Sequence, residues 1–436
     1  MLSHPSTEAG LSRNRLTGCW AIHFPPFYAL DLFVPLNLPA FIAGITGRPE
    51  SLLRDDLLLH RDALSAAIGG KKILVIGGAG TIGSSFIKAL LPYRPAALYV
   101  VDTNENGLTE LVRDLRSTPG LYVPPVLVTY PLSFSQPVFE KFFRSQAPFE
   151  IVANFAAHKH VRSEKDLISI EAMLENNVLS AKHLLDLLLE RPPEHFFAVS
   201  TDKAANPVNV MGASKKLMED VILAYSAYFS CTTARFANVA FSNGSLLFGF
   251  LERLMKRQPL SVPSDIRRFF VSPEESGQLC LLACVLGRSG EVFFPKLDPE
   301  KDLISFRDIT LQFLAAMGYE AAICNTEEEA RQKSLSLQTD TPAYPVYFFE
   351  SDTSGEKPYE EFFTEREKLD LTRFSALGVI EELPRKSLQE IAAMVQSLRA
   401  FFAETGADKQ GLVERIAQYV ADFEHIERGK NLDQKM

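Results

Sequence analysis

Apolar runs of strand length alternate with stretches of helical spacing from Lys71 to about residue 229. The strand-like runs are continuous and apolar, as in strands buried on both faces of a sheet, and they occupy residues 71–78, 96–102, 151–157 and 195–203. Helical spacing follows each run, over residues 81–91, 105–117, 167–190 and 212–229. This alternation predicts an α/β fold with a doubly wound parallel sheet and helices on both faces.

The pattern changes on either side of this region. After Ala234 it loosens into short strands, helices and loops, which predicts a smaller, partly interleaved α/β substrate-binding region over residues 234–383. Residues 326–346 are polar and predict an inserted helix and loop. Residues 384–436 have helical patterning, with Ser387 and Glu390 spaced as a capping box, and are interpreted as a helical appendage. Residues 1–70 are interpreted as an N-terminal extension that ends in a helical lead-in over residues 50–70. Residues 71–233, which hold the regular alternation, are interpreted as a dinucleotide-binding domain.

The extension contains an apolar stretch over residues 20–45. Asp31 and four prolines interrupt it (Pro25, Pro26, Pro35 and Pro39), so that a continuous membrane-spanning helix is not expected. It also lacks the basic start and uninterrupted apolar core of a signal peptide. We interpret it as packed on the body or partly disordered, with peripheral membrane contact as an alternative.

Composition narrows the class of protein. The 436 residues carry a formal net charge of -9, which argues against nucleic-acid binding because that function needs a basic face. The five cysteines include no CxxC pair, and Cys280 and Cys284 lie one helical turn apart in an apolar run. Buried thiols are therefore expected rather than disulfides, which fits a reducing, cytoplasmic location.

A glycine-rich turn, GGAGTIG, joins the first strand to the first helix of the alternating region. Its glycines allow a tight turn and close approach of a pyrophosphate to the helix N-terminus. Asp102 ends the next strand, where an acid can bind both hydroxyls of an adenosine ribose. The charge of Asp102 favours NAD, with NADP as the alternative. We expect the cofactor contacts to come from Gly77, Gly80, Thr81, Ile82, Gly83 and Asp102.

The run Ser200-Thr201-Asp202-Lys203 ends a predicted parallel strand, on the side of the sheet where open α/β folds place their active sites. Downstream lies Met211-Gly212-Ala213-Ser214-Lys215. Here the chain resembles the extended short-chain dehydrogenase/reductase family. That family has Ser or Thr at the strand end and Tyr-x-x-x-Lys on the next helix. Position 211 should be tyrosine, and none of the 12 tyrosines precedes a lysine by four residues.

Several further segments share one resemblance, to the CapD-like polysaccharide-biosynthesis sugar-nucleotide 4,6-dehydratases, some of which carry methionine in place of the tyrosine. The segments span about residues 47–380 and are AAHKHVRSEKD, STDKAANPVNVMGASKK, ARFANVAFSNGS, IRRFFVSPEES and EVFFPKL. The resemblance implies NAD(P)-dependent 4,6-dehydration of a UDP-sugar, most closely UDP-N-acetylglucosamine, for surface-polysaccharide or rare-sugar synthesis. A sugar-nucleotide epimerase and a catalytically silent nucleotide-binding protein remain alternatives.

Roles for the reacting groups follow from this resemblance. A 4,6-dehydratase needs a base for the carbon 5 proton and an acid for the 6-hydroxyl beside the nicotinamide. We predict Lys203 as the base, on the expectation that its surroundings depress its pKa, and protonated Asp202 as the acid. Thr201 would hydrogen-bond the 4-oxygen, Met211 would fill the tyrosine slot, and Lys215 would hold the nicotinamide ribose. A turn position for Asp202 and a surface position for Lys203 are the structural alternatives.

The resemblance also assigns outer contacts. Asn154, Ala156 and Ala157 would pass under the nicotinamide ribose. Substrate contacts are expected from Lys159, Glu164, Asn238 and Arg268, the last two at the diphosphate. His158 and His160 lack a third ligand nearby, so no metal site is predicted. A homo-oligomer is expected, with helices at about 170–190 and 212–229 as candidate contact surfaces.

Overall fold

A computed structural model describes residues 36–338, 341–352, 355 and 357–427, with backbone alone at 162 and 163. The strands, in chain order, are β1 (Lys72–Ile76), β2 (Ala97–Asp102), β3 (Val126–Pro131), β4 (Ile151–Asn154), β5 (His195–Val199), β6 (Cys231–Ala234), β7 (Asn238–Val239), β8 (Leu260–Pro263), β9 (Arg267–Val271), β10 (Val292–Pro295), β11 (Leu303–Ser305), β12 (Glu320–Cys324), β13 (Ala343–Phe349), β14 (Lys368–Asp370) and β15 (Leu377–Glu381).

The helices surround these strands. They are α1 (Leu38–Thr46), α2 (Arg54–Leu59), α3 (Arg61–Ile68), α4 (Thr81–Leu90), α5 (Glu105–Ser117), α6 (Pro137–Gln146), α7 (Leu167–Leu174), α8 (Ser180–Glu190), α9 (Val210–Tyr225), α10 (Leu246–Met255), α11 (Pro273–Leu286), α12 (Phe306–Ala316), α13 (Glu327–Leu335), α14 (Leu388–Ala403) and α15 (Lys409–Ala417). None of the helices in the described ranges is long and apolar enough to cross a bilayer.

Within the described residues the main sheet has nine strands in the order β14-β15-β10-β6-β5-β4-β1-β2-β3. From β10 to β3 every neighbouring pair is parallel, and β15 pairs antiparallel with both β10 and β14. The predicted α/β fold with a doubly wound, mostly parallel sheet is confirmed. The sheet takes strands from both sides of residue 234, and the division into four parts remains a prediction.

Alternation along β1 explains the two-sided core. Leu74 and Ile76 lie in an apolar cluster with α6, α8 and α9, whereas Ile73 and Val75 lie in a second cluster with α4, α5 and α11. Successive side chains of one strand thus serve opposite faces, which is why the strand reads as a continuous apolar run.

Two small sheets lie outside the main one. Strands β12, β13 and β8 form a parallel sheet, and β11, β9 and β7 form a mixed sheet. Of the helix and loop predicted over residues 326–346, the helix is confirmed as α13. The loop is partly wrong, because residues 343–349 form β13 at the centre of the first of these sheets. Tyr344 and Val346 of β13 lie in one apolar cluster with residues of α12. The polar residues before them in the sequence gave no indication of this packing.

The appendage packs on the main body. The capping box of Ser387 and Glu390 is confirmed at the start of α14. Met394 and Leu398 of this helix share an apolar cluster with Leu217 and Val221 of α9. Most side chains of α9 are buried, and α14 of the same chain packs against it. That the helix at about 212–229 offers a contact surface to another copy stays a prediction.

Truncating one residue of this contact tests the packing. Leu398 is fully buried, so Leu398→Ala is expected to lower the free energy of unfolding by about 2–5 kcal/mol through lost contacts and a cavity. Gln396, an exposed residue of the same helix, is the matched control, and Gln396→Ala should stay within about 0.5 kcal/mol of wild type. Urea unfolding measures both variants. Equal stability of Leu398→Ala and wild type would contradict the packing of α14.

Candidate active site

The turn between β1 and α4 is built for close approach of backbone to ligand. Gly77 has φ +74°, and a Cβ there would lie 2.5 Å from the backbone nitrogen of Ala156. A Cβ on Gly83 would lie 2.3 Å from the carbonyl oxygen of Gly77. The N-cap Gly80 brings no side-chain acceptor to α4. The first turn of α4 therefore presents backbone N–H groups to an anion.

Asp102 is held beside this turn at the end of β2. Its Oδ2 accepts a hydrogen bond from the backbone nitrogen of Ala79 at 2.9 Å, and Oδ1 accepts one from that of Asn104 at 2.9 Å. A carboxylate has about four acceptor positions, so two N–H groups leave capacity for a diol. Asp102 is therefore positioned for the ribose contact that the sequence predicts.

A cavity of about 390 Å³ extends over this turn. The predicted cofactor contacts that line it are Gly77, Gly80, Thr81, Ile82, Gly83, Asp102, Ala156 and Ala157, and Lys159 joins them. Asn154 stands behind the wall: it is buried, and its Oδ1 accepts a hydrogen bond from the backbone nitrogen of Ala156 at 3.0 Å. Its influence on a ligand would pass through the turn that carries Ala156.

Sequence reasoning missed Asn177, which fixes the next part of the wall. Its amide Oδ1 accepts from the backbone nitrogen of His158 at 2.8 Å, and Nδ2 donates to the carbonyl oxygen of His158 at 2.9 Å and to Ser214 Oγ at 3.0 Å. Residues 175–179 form a π-helical turn between α7 and α8, which interrupts the single helix predicted over 167–190. At helical spacing Asn177 shares a face with Met173, Leu174 and Ala181, and a polar residue on such an apolar face is the signal that could have identified it.

A second cavity, of about 290 Å³, holds the predicted catalytic groups together. It is lined by Thr201, Asp202, Lys203, Met211 and Lys215, and also by Asn238 and Lys159. Both cavities are bordered by Ile82, Phe155, Ala157 and Lys159, so that they meet at this wall. The side chains that follow β5 and those of the first turns of α9 therefore face one cleft.

Asp202 is the centre of a short hydrogen-bonded cluster. Its Oδ1 accepts from Thr201 Oγ1 at 2.8 Å, from the backbone nitrogen of Lys203 at 2.9 Å and from Lys203 Nζ at 3.1 Å. The carboxyl and the amine are thus in hydrogen-bond contact within the cleft. A surface position for Lys203 is excluded by this arrangement, since its side chain is largely buried.

The charge state of Lys203 differs from the expectation. Burial lowers the pKa of its amine, but the carboxylates of Asp202 and Glu360, 3.1 and 3.5 Å away, outweigh burial and raise the pKa above its usual value. The predicted lowering of the pKa is therefore wrong, because Glu360 adds a second carboxylate beside the amine and no local sequence pattern identifies it. This residue is buried and stands on a segment more than 150 positions along the chain.

Lys215, unlike Lys203, has a lowered pKa. It is fully buried in α9, and burial lowers its pKa to about 8 against a small opposing effect of Glu219. Its Nζ donates to the carbonyl oxygen of Val199 at 2.7 Å. Met211 is buried one turn earlier on the same cavity wall. A Cβ on Gly212 would lie 2.4 Å from the carbonyl oxygen of Lys203, so glycine lets α9 press against the Thr-Asp-Lys turn.

The predicted substrate contacts divide between the cleft and its surroundings. Lys159 and Asn238 line the cleft; the Lys159 amine donates to the carbonyl oxygen of Asn243 at 3.0 Å, and burial lowers its pKa. Glu164 lies behind α9, where its Oε1 accepts from the backbone nitrogen of Met211 at 2.9 Å. Arg268 Nη1 donates to the carbonyl oxygens of Lys357 and Pro358. Neither Glu164 nor Arg268 is part of the lining of the two cavities.

Across the described part of the chain, no three His, Cys, Asp or Glu side chains form a group that could hold a metal ion.

Comparison with known proteins places the chain among related sequences. An uncharacterized membrane protein of Methanocaldococcus jannaschii is 31% identical over 320 residues, which cover 71% of this chain and 85% of that protein. An inverting UDP-N-acetylglucosamine 4,6-dehydratase of Campylobacter jejuni is 29% identical over 245 residues, 53% of this chain and 69% of that enzyme. In two other relatives the matched region spans 41% of their length.

Solved structures similar in fold include one enzyme with a bound dinucleotide. It is a double mutant of the dTDP-glucose 4,6-dehydratase DesIV from Streptomyces venezuelae with NAD and DAU bound. Its TM-score is 0.50 at 18% identity, over 79% of this chain and 99% of that one.

The strongest grouping comes from the family described as polysaccharide biosynthesis protein, which matches residues 73–382. That range contains the glycine turn, both cavities and the last strand of the main sheet. The resemblance seen in the sequence motifs is confirmed, and since the match extends over well more than half of its length, the chain belongs to the polysaccharide biosynthesis protein family.

Proposed function

We propose that this protein is a sugar-nucleotide 4,6-dehydratase that uses NAD and acts on UDP-N-acetylglucosamine. The observation that carries the proposal is the cleft in which Thr201, Asp202 and Lys203 face Lys215, next to the cavity over the glycine turn. The similarity to a UDP-N-acetylglucosamine 4,6-dehydratase supports the reaction and the sugar nucleotide. The family description supports a place in polysaccharide synthesis.

The cofactor side fits a dinucleotide. Gly77 leaves a hollow that a Cβ would fill, and the N-terminus of α4 lacks a side-chain cap. Asp102 lines the same cavity, where its carboxylate would accept from the hydroxyls of a ribose. A nicotinamide held over this turn would supply hydride chemistry beside carbons 4 and 6 of the sugar. The residues of the cleft supply the proton transfers.

Two proton transfers distinguish dehydration from epimerisation: one takes the proton of carbon 5, and the other gives a proton to the departing 6-hydroxyl. Asp202 and Lys203 are in direct hydrogen-bond contact, with the proton on the amine in the resting cleft. A sugar that displaces water from the cleft weakens the solvation of this ion pair and favours the neutral pair. The proton then passes from Lys203 Nζ to Asp202, which leaves a neutral amine as base and a protonated carboxyl as acid.

The oxidation at carbon 4 also releases a proton from the 4-hydroxyl. Met211 is apolar, and in its place Lys215 is the buried amine whose pKa lies nearest to neutrality. We assign it the 4-hydroxyl proton, taken directly or through a water, with Thr201 hydrogen-bonded to the 4-oxygen. Lys159 and Asn238 line the part of the cleft where a diphosphate would lie, and Arg268 stands behind it.

The reaction itself is tested with UDP-N-acetylglucosamine. Wild type is expected to release a 4-keto-6-deoxy product without net NADH, identified by mass spectrometry and NMR. Lys203→Ala should lower kcat by about 100-fold or more, because the base for carbon 5 is lost. Lys301→Ala, at an exposed lysine, should leave kcat unchanged. An inverted alcohol as product would favour an epimerase, and binding without turnover a silent nucleotide-binding protein.

The role of Lys215 predicts a pH dependence. A neutral amine is needed to accept the 4-hydroxyl proton, so kcat should rise with pH through about 8, where the Lys215 amine loses its proton. Lys215→Arg keeps a positive charge but remains protonated, so this rise should disappear along with most of the activity. If the pH profile of the residual rate kept the rise near 8, another group would be the base.

Cofactor choice depends on Asp102. Asp102→Asn keeps an acceptor for the backbone nitrogen of Ala79 but removes the charge that a 2′-phosphate would face. The ratio of NAD to NADP affinity is expected to fall by about tenfold, as measured by titration of the protein with each dinucleotide. Asp114→Asn on the exposed side of α5 serves as the control. An unchanged ratio would place the ribose elsewhere.

A further inference from the structure

A segment far from the strand ends contributes a buried carboxylate to the cleft. Residues 357–362, called here the crossing segment, place Glu360 with its Oε1 at 3.5 Å from Lys203 Nζ. The same oxygen lies 3.9 Å from Arg268 Nη2 on β9. Glu360 is 3% exposed, so its charge acts on both cations with little screening by water.

The crossing segment is anchored at several points, which fixes the position of this carboxylate. The backbone nitrogen of Arg267 donates to the carbonyl oxygen of Pro358, and Lys357 Nζ donates to that of Asn206. Phe362 is buried against Phe269 and Phe294, and its carbonyl oxygen accepts from Arg235. These contacts lie on both sides of Glu360, so the carboxylate is held in place by its own backbone.

The charges around the amine then explain why it stays protonated. Lys203 faces Asp202 on its own turn and Glu360 on the crossing segment, and the positive charge of Arg268 on β9 opposes their effect. Asp202 alone would form one ion pair that could exchange its proton. Glu360 adds a second negative charge beside Lys203, the residue that would give up the proton in this exchange. Within the described residues, no hydrogen bond joins Glu360 to Asp202.

We propose that Glu360 is a positioning residue that holds the Lys203 amine charged and aligned with Asp202 in the resting cleft. The inference rests on the proposed function for its meaning in catalysis, since the proton that it retains on Lys203 is the one that must pass to Asp202. The Glu360 carboxylate lies near both Lys203 and Arg268. A substrate phosphate that drew Arg268 away from Glu360 would therefore strengthen the attraction of Glu360 for the Lys203 amine.

Direct titration of Lys203 tests the inference. Competitive labelling of the full-length protein with acetic anhydride across pH, quantified on the peptide that contains Lys203 by mass spectrometry, reports the pH at which this amine becomes reactive. Glu360→Gln removes the charge at nearly constant shape and should lower that midpoint by about one pH unit. Glu361→Gln, at the exposed neighbouring residue, should leave it unchanged. An equal midpoint in Glu360→Gln and wild type overturns the proposal.

A second variant allows the test to be made if Glu360→Gln does not fold. If glutamine at position 360 prevents folding, Glu360→Asp keeps the charge but withdraws it by one methylene, and a midpoint below that of wild type is again required.

Turnover gives an independent readout. The rise of kcat near pH 8 belongs to Lys215, so it should stay in place in both Glu360→Gln and Glu361→Gln. Above this rise, kcat should increase by up to about tenfold in Glu360→Gln, because the proton leaves Lys203 for Asp202 more easily, and should be unchanged in Glu361→Gln. An unchanged kcat in Glu360→Gln overturns the catalytic meaning of the inference. If wild type converts no sugar nucleotide, the proposed function fails, while the labelling of Lys203 still decides the role of Glu360.

Discussion

The geometry of the cleft depends on the buried ion pairs that the guanidinium of Arg235 forms with two carboxylates. Its Nε and Nη2 donate to Glu219 of α9 at 3.0 and 2.8 Å, and Nη1 and Nη2 donate to Glu367 at 2.9 Å each. Ser200, directly before Thr201, donates to Glu219 as well. Arg235 thus connects α9, which carries Lys215, to the stretch that follows the crossing segment. Through Glu219 it is also connected to Ser200 at the end of β5.

The energetic cost of this arrangement explains its rigidity. Burial of Glu219 would raise its pKa, but the charge and hydrogen bonds of Arg235 hold that pKa at about 2. Removing one partner would leave a charge buried without compensation, at a cost of about 3–5 kcal/mol. Because Arg235 is bound on both sides, the Thr-Asp-Lys turn and the crossing segment cannot shift independently, and the distance between Lys203 and Glu360 is set.

The sequence predicts best what depends on neighbours along the chain. The alternation in β1, the span of α5 and the groups that follow β5 all appear as local patterns, and the structure confirms these elements. Strand β3 was missed because it lies at the sheet edge, half exposed and ending at Pro131, without a buried run. Glu360 and the covering of α9 by α14 depend on contacts between distant segments. No local pattern reports which charge lies beside Lys203, and so its protonation was predicted with the wrong sign.

The return of the chain to the main sheet has a consequence for synthesis on the ribosome. Strands β14 and β15 pair beside β10 only after the residues between them and β10, including the small parallel sheet, have been made. Until Glu367 leaves the exit tunnel, Arg235 has Glu219 alone as its carboxylate partner in this cluster. The nascent sheet therefore ends in an open edge at β10 until β15 has been made, a state in which hydrophobic strands are prone to pair with other chains.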